Sequence, residues 1–151
     1  MALHSEMAQA QRERLAYLEL RVYFTGELRR GDIEARFGVK PAATSRDISA
    51  YRKLAPSNLV YDKVERFYRP SSTFNPVFEF YPERVLAWLL QGFGDGLDIN
   101  QKLPTVCEGP GNLFKPDLAV LGAITRAMCA KRALKISYQS LSSGAKRRVI
   151  V

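Results

Sequence analysis

Arg46, Arg52 and Lys53 stand among small and apolar residues in the stretch GVKPAATSRDISAYRKLAP, Gly38 to Pro56. An arginine can donate two parallel hydrogen bonds to a guanine edge, and a lysine meets a phosphate as a point charge. Alanines and serines between them let a backbone come close to base edges and thymine methyls. At 100° per residue, Ala42, Ala43, Arg46, Ser49, Ala50 and Lys53 share one side of a helix, opposite Thr44, Ile48 and Tyr51. Arg52 lies nearer the second side, but its long stem can carry the guanidinium outward. Asp47 falls on the flank, where it could orient a neighbouring basic side chain. An ordinary solvated face would be polar too, but would usually mix glutamate with lysine, and this face holds no acid. The pattern suits reading of a DNA major groove, with Lys40, Ala42, Thr44, Ser45, Arg46, Ser49, Arg52 and Lys53 as candidate contacts.

Such a helix needs a support. Pro41 can occupy its first turn without losing a hydrogen bond. Just before it, RRGDIEARFGVK predicts a short helix, with Asp32 as N-cap, Ile33 and Phe37 facing inward, and Gly38 as the stop. Two helices joined by a short glycine-containing turn make a helix-turn-helix. Upstream, Gln11 to Thr25 reads as a helix ended by Gly26. It carries one apolar stripe of Leu15, Leu18 and Val22 and a second of Tyr17, Leu20 and Phe24. Two stripes predict a sandwiched helix, buried within the fold or facing a second subunit. Downstream, NLVYDKVERFYRP predicts a hairpin from Leu59–Tyr61 and Phe67–Tyr68. A hairpin after the second helix of such a motif is a wing. Its Lys63 and Arg66, with Arg69, would lie near phosphates, although Asp62 and Glu65 dilute the charge.

The 151 residues carry a net charge of +8, with a pI near 9.7. Residues 1–70 hold 13 Lys/Arg against 9 Asp/Glu, residues 71–130 hold 4 against 6, and residues 131–151 hold 6 against none. Positive charge at both ends favours a polyanionic partner. Cys107 and Cys129 form no CxxC pair, and His4 is the only histidine, so a structural zinc site is not expected. Two widely spaced cysteines fit reduced thiols. A Ser–His mechanism would depend on His4, close to the N-terminus, and no paired carboxylates or phosphate loop stand out. No enzyme and no cofactor are expected. No apolar run is long enough for a membrane span, and the default location is the cytoplasm, associated with the nucleoid.

Residues 71–116 read as a proline-punctuated linker with one helix, Pro82 to about Leu90. GFGDG at 92–96 follows a helix, so it reads as a helix stop and loop, not a phosphate loop. Asp95, Asp98 and Asn100 lack calcium-loop spacing. After Pro116 a further helix is expected, with Asp117, Leu121, Ile124 and Met128 in one stripe. ALKISYQS and RRVIV follow as two strands around SSGAK. The division is 1–70, 71–116 and 117–151, in an α+β fold, and the sequence reads as stopping inside its last domain.

TSRDISAY and RFYRPSSTFNP resemble the N-terminal winged-helix domain of WYL-domain transcriptional regulators, nearest the bacterial repressors of phage-defence operons (BREX- and CBASS-associated). AITRAMCAKRALKISYQSLSSGAKRRVIV resembles the entry helix and first two strands of the SH3-like WYL barrel. The resemblance implies a homodimer that represses transcription from inverted-repeat double-stranded DNA. It also implies, for the full-length protein, a nucleotide or nucleic-acid effector, with Tyr138, Ser140 and Arg148 at matching positions. The Trp-Tyr-Leu signature itself is absent. The competing reading is a ligand-sensing or protein-interaction module whose winged helix docks protein through Tyr17, Leu20 and Phe24. A protein hot spot would want exposed aromatics on the outward face of residues 42–53, and there are none.

Overall fold

The computed structural model describes residues 8–90 and 116–150. It begins with α1, Gln9–Thr25, whose apolar stripes serve two cores. Leu15, Leu18 and Val22 are buried with Leu28, Ile33, Ile48, Tyr51, Leu59 and Tyr68. Leu20 and Phe24 are buried with Val85 and packed by Phe80, Trp88, Leu118 and Leu121. The helix is therefore sandwiched within the chain's own fold. Tyr17 departs from the expected second stripe: it leans on the first core, edge-on to Phe37 with ring centroids 5.4 Å apart.

Gly26 ends α1 at φ +86°, a left-handed conformation that suits a residue without a Cβ. The next helices are α2, Arg30–Phe37, and α3, Pro41–Leu54, with Gly38 at φ +62° closing α2. Asp32 caps α2 from inside its first turn: the N-cap is Arg29, whose backbone N–H donates to Asp32 at 2.6 Å. The same carboxylate pairs with Arg21 of α1 at 3.1 Å. Strands β1, Leu59–Asp62, and β2, Phe67–Pro70, form the antiparallel hairpin. Leu28 and Tyr68 exchange two backbone hydrogen bonds of 2.8 Å, an isolated antiparallel bridge that ties the α1–α2 connection to the two-stranded hairpin.

One buried acid connects these parts. Glu19 of α1 is fully buried. It accepts hydrogen bonds from the Tyr51 hydroxyl of α3 at 2.6 Å, from Val77 N–H at 3.0 Å and from Phe78 N–H at 2.8 Å. Asn58, at the root of the hairpin, donates to the Tyr51 oxygen at 3.0 Å and to the Asn75 carbonyl at 2.7 Å. The segment after the wing is thereby fastened to α1 and α3 through buried polar groups, which must find partners once removed from water.

Helix α4 is Pro82–Leu90, with Val85 buried in the second core. Helix α5, Leu118–Cys129, is capped by Asp117, which accepts from Ala119 and Val120 N–H at 2.8 and 2.9 Å. This corrects the expected stripe: Asp117 is a cap, and Ile124 and Met128 face solvent. The packed face centres on Gly122, where a Cβ would come within 3.1 Å of the Tyr23 ring. Glycine lets α5 approach α1, and the Arg126 guanidinium lies over that ring and donates to the Tyr23 carbonyl. Strands β3, Lys135–Gln139, and β4, Lys146–Ile150, close the description as a second antiparallel hairpin. His4, Cys107, the GFGDG stretch and the Asp95/Asp98/Asn100 group lie outside the described residues.

Candidate nucleic-acid interface

Helix α3 buries Thr44, Asp47, Ile48 and Tyr51 and turns the rest outward. Lys40, Ala42, Arg46, Ser49, Arg52 and Lys53 are exposed, and Ser45 is half-buried beside them. The only acid on the helix is Asp47, and it is 2% exposed. The outward face therefore presents cations and small side chains without a carboxylate. Thr44 leaves the candidate set: it is fully buried, on the same side as Ile48 and Tyr51, and cannot reach a groove.

Asp47 does orient a basic side chain, but on another helix. Its carboxylate accepts from Arg14 Nε of α1 at 2.6 Å and Nη2 at 3.2 Å, and from Gln11 Nε2 at 3.1 Å. This fork locks the first turns of α1 against α3, and the hydrogen bond to Asp47 raises the Arg14 pKa above its ordinary value. Arg46 lies along the helix surface, with Nε 3.2 Å from the Ala42 carbonyl. That carbonyl is inside the helix ladder, so turning the guanidinium outward costs little.

Lys63, Arg66 and Arg69 of the wing are exposed. Asp62 is occupied in building the turn: its Oδ1 accepts from Val64 and Glu65 N–H, each at 3.0 Å. Its pKa is lowered by the Glu65 bond first, then by the Val64 bond and the nearby Arg69 charge. Arg66 sits at φ 58°, a left-handed conformation that glycine or asparagine takes more easily. Arg29 braces the wing tip, donating to the Glu65 carbonyl at 2.8 Å while stacking 5.3 Å from the Phe67 centroid. The sequence gives no local sign of that role, because the contact joins positions 36 residues apart.

The hairpin β3–β4 does not bring the three candidate ligand residues together. Its register sets Tyr138 opposite Arg147 and Ser137 opposite Arg148. Since side chains alternate along a strand, Tyr138 and Arg148 lie on opposite faces. Ser140 is a turn residue, its hydroxyl 3.0 Å from that of Ser142 and accepting from Ser143 N–H at 3.4 Å. Among the described residues no group of His, Cys, Asp and Glu could hold a metal ion, and no helix is long and apolar enough to cross a membrane.

A helix-turn-helix followed by a wing, with an acid-free cationic helix face, is the architecture of a DNA-binding regulator domain. The family model for the BrxR transcriptional regulator winged helix-turn-helix domain matches residues 10–91. The chain belongs to this BrxR winged-helix family. The family is one of regulator domains, not enzymes. Relatives include the DNA-binding transcriptional repressor CapW of Escherichia coli (strain KTE188), 33% identical over 147 residues, which cover 91% of this chain and 48% of the relative. CapW of Pseudomonas aeruginosa is 31% identical over 140 residues, 87% of this chain and 46% of the relative. CapW of Stenotrophomonas maltophilia is 25% identical over 144 residues, 92% and 48%. The chain thus spans about half the length of the curated relatives it matches. The matched span takes in α2, α3, α4 and all of α1 but Gln9, with the first core and the buried residues of the second, onto which Leu118 and Leu121 of α5 pack from outside it.

Proposed function

We propose that this chain is the DNA-reading part of a homodimeric transcriptional repressor that binds an inverted-repeat operator, controls a bacterial phage-defence operon and works in the cytoplasm on the nucleoid. The observation that carries this reading is the outward face of α3, where the only acid of the helix is turned inward onto Arg14. In this account Arg46, Ser49, Arg52 and Lys53 enter the major groove, with Ala42 and Ser45 leaving room for the backbone. Lys40 stands at the α3 N-terminus, where helix N–H groups favour a phosphate. Lys63 and Arg66 meet phosphates from the wing, and an arginine kept in a left-handed turn position supports that role for Arg66. In this reading the helix-turn-helix and wing lie within residues 1–70, the following segment packs back on them through Val77, Phe78 and Val85, and a WYL-like part starts at 117. A nucleotide-like effector would need residues other than Tyr138, Ser140 and Arg148 alone, because these do not converge.

The wing assignment has its own test. Each neutralised phosphate contributes about 0.9 to the slope of log K against log salt. Lys63→Ala is expected to flatten that slope by about 0.9 on duplex DNA while leaving sequence preference intact. Fluorescence anisotropy across a salt series reads this directly. An unchanged slope would remove Lys63 from the phosphate contacts.

A further inference from the structure

From Lys131 onward the chain holds six Lys/Arg and no acid, and Lys135, Lys146, Arg147 and Arg148 of these lie on the β3–β4 hairpin. The register sets Lys135 opposite Ile150, Ser137 opposite Arg148 and Gln139 opposite Lys146. Alternation therefore collects Lys135, Ser137, Gln139, Lys146, Arg148 and Ile150 on one face, and all six are exposed. Among the described residues no carboxylate pairs with these three cations. Lys146 and Arg148, two residues apart on one strand, are about 7 Å apart along it, close to twice the axial spacing of phosphates on one DNA strand, about 3.4 Å. The other face holds half-buried Ile136 and Val149 with exposed Tyr138 and Arg147, one cation against three.

The position of this face connects it to the wing. A cavity of about 820 Å³ is lined on one side by Phe67, Arg69 and Pro70 of β2 and on the other by Arg132 and Leu134, just before β3. Arg69 of the wing and Arg132, three residues before Lys135, thus face one cavity, whose lining also includes Glu27 and Asp62. Two-stranded ribbons are an established way for a protein to meet duplex DNA, and a cationic face of lysine, arginine, serine and glutamine has the side chains that phosphates accept from.

We propose that the β3–β4 ribbon is a second duplex-DNA contact, in which Lys135, Lys146 and Arg148 grip phosphates flanking the site read by α3. It rests on the reading of α3 given above. The footprint of the chain is then longer than a winged helix alone would make.

The test uses the full chain with two duplexes from the DNA upstream of its own gene. One spans about two helical turns and the other extends the same site by one turn on each side. The longer duplex is expected to show the steeper salt slope. The triple variant Lys135→Ala, Lys146→Ala, Arg148→Ala is expected to lose up to about 2.7 of that slope, and at least tenfold in affinity, on the longer duplex only. The charge-conserving variant Lys135→Arg, Lys146→Arg, Arg148→Lys is expected to keep both, which separates charge from folding. An unchanged slope in the alanine variant, with discrimination between operator and scrambled duplex intact, overturns the ribbon contact alone. Loss of binding to a single-stranded oligonucleotide, with duplex binding unchanged, overturns it too and assigns the face to single strands. Absence of duplex binding by the unaltered chain overturns both this proposal and the reading of α3.

Discussion

Glu19→Ala is expected to destabilise the fold by on the order of 3 kcal/mol, the largest effect of any single substitution argued from this structure. Three donors converge on the Glu19 carboxylate: the Tyr51 hydroxyl, Val77 N–H and Phe78 N–H. Truncation leaves all three without their acceptor in a buried site, and each buried unsatisfied group costs about 1–3 kcal/mol, less whatever a water entering the gap restores. For a domain of this size the melting temperature should fall by roughly 6–12 °C. Because Tyr51 belongs to α3, DNA affinity should fall with it although Glu19 touches no DNA. A shift of less than about 1 °C, where surface substitutions usually lie, would mean that the network contributes nothing to stability.

The same residue gives a pH dependence whose sign can be stated. Burial pushes the Glu19 carboxyl above its ordinary value, while the hydrogen bonds from Tyr51, Val77 and Phe78 pull it back in part. The folded state then holds this proton to higher pH than the unfolded chain does. Its contribution to stability is present below the unfolded pKa and is lost as pH rises through the folded one. Glu19→Gln cannot ionise, so it should remove that part of the pH profile of thermal unfolding.

Arg46→Ala carries the second large effect, on specificity. A bidentate arginine–guanine pair is worth about 1–3 kcal/mol of discrimination, or roughly 5- to 150-fold in relative affinity. The expected result is a loss of that order on operator DNA and a much smaller one on scrambled duplex, where only the charge is missed. The fold should be unaffected, because Arg46 is exposed and, among the described residues, its side chain hydrogen-bonds only to the Ala42 carbonyl of its own helix. Equal losses on both duplexes would make Arg46 a phosphate contact and move base reading to Ser49 or Arg52.

The elements were legible where one local signal decided them. Gly26 and Gly38 end helices, Pro41 and Pro82 begin them, and the charged turn between Leu59–Tyr61 and Phe67–Tyr68 marks the wing. The outward face of α3 could be read because its period and its lack of exposed acid are both local. Glu19 could not be read: its partners lie 32, 58 and 59 residues away, and two of them are backbone N–H groups that any sequence possesses. A charged residue between Leu18 and Leu20, on a helix with two apolar stripes, was the available sign that a buried partner was needed. The α5 stripe failed for a packing reason, since Gly122 sets which face meets Tyr23 and a periodicity of large residues passes over a glycine. By sequence Thr44 fits both the buried side and the DNA contacts, and the structure keeps only the first. Tyr138 and Arg148 were separated by register, which is fixed by pairing and cannot be read from either strand alone.

The central claim is that α3 reads a DNA sequence. Its most direct test is fluorescence anisotropy of the unaltered chain with duplex DNA from upstream of its own gene, against a scrambled duplex of the same composition, over a salt series. The account predicts tighter binding to the upstream duplex, with the difference persisting at physiological salt while both affinities fall as salt rises. Equal, salt-sensitive binding to the two duplexes would contradict it, leaving the basic face of α3 as a nonspecific polyanion surface.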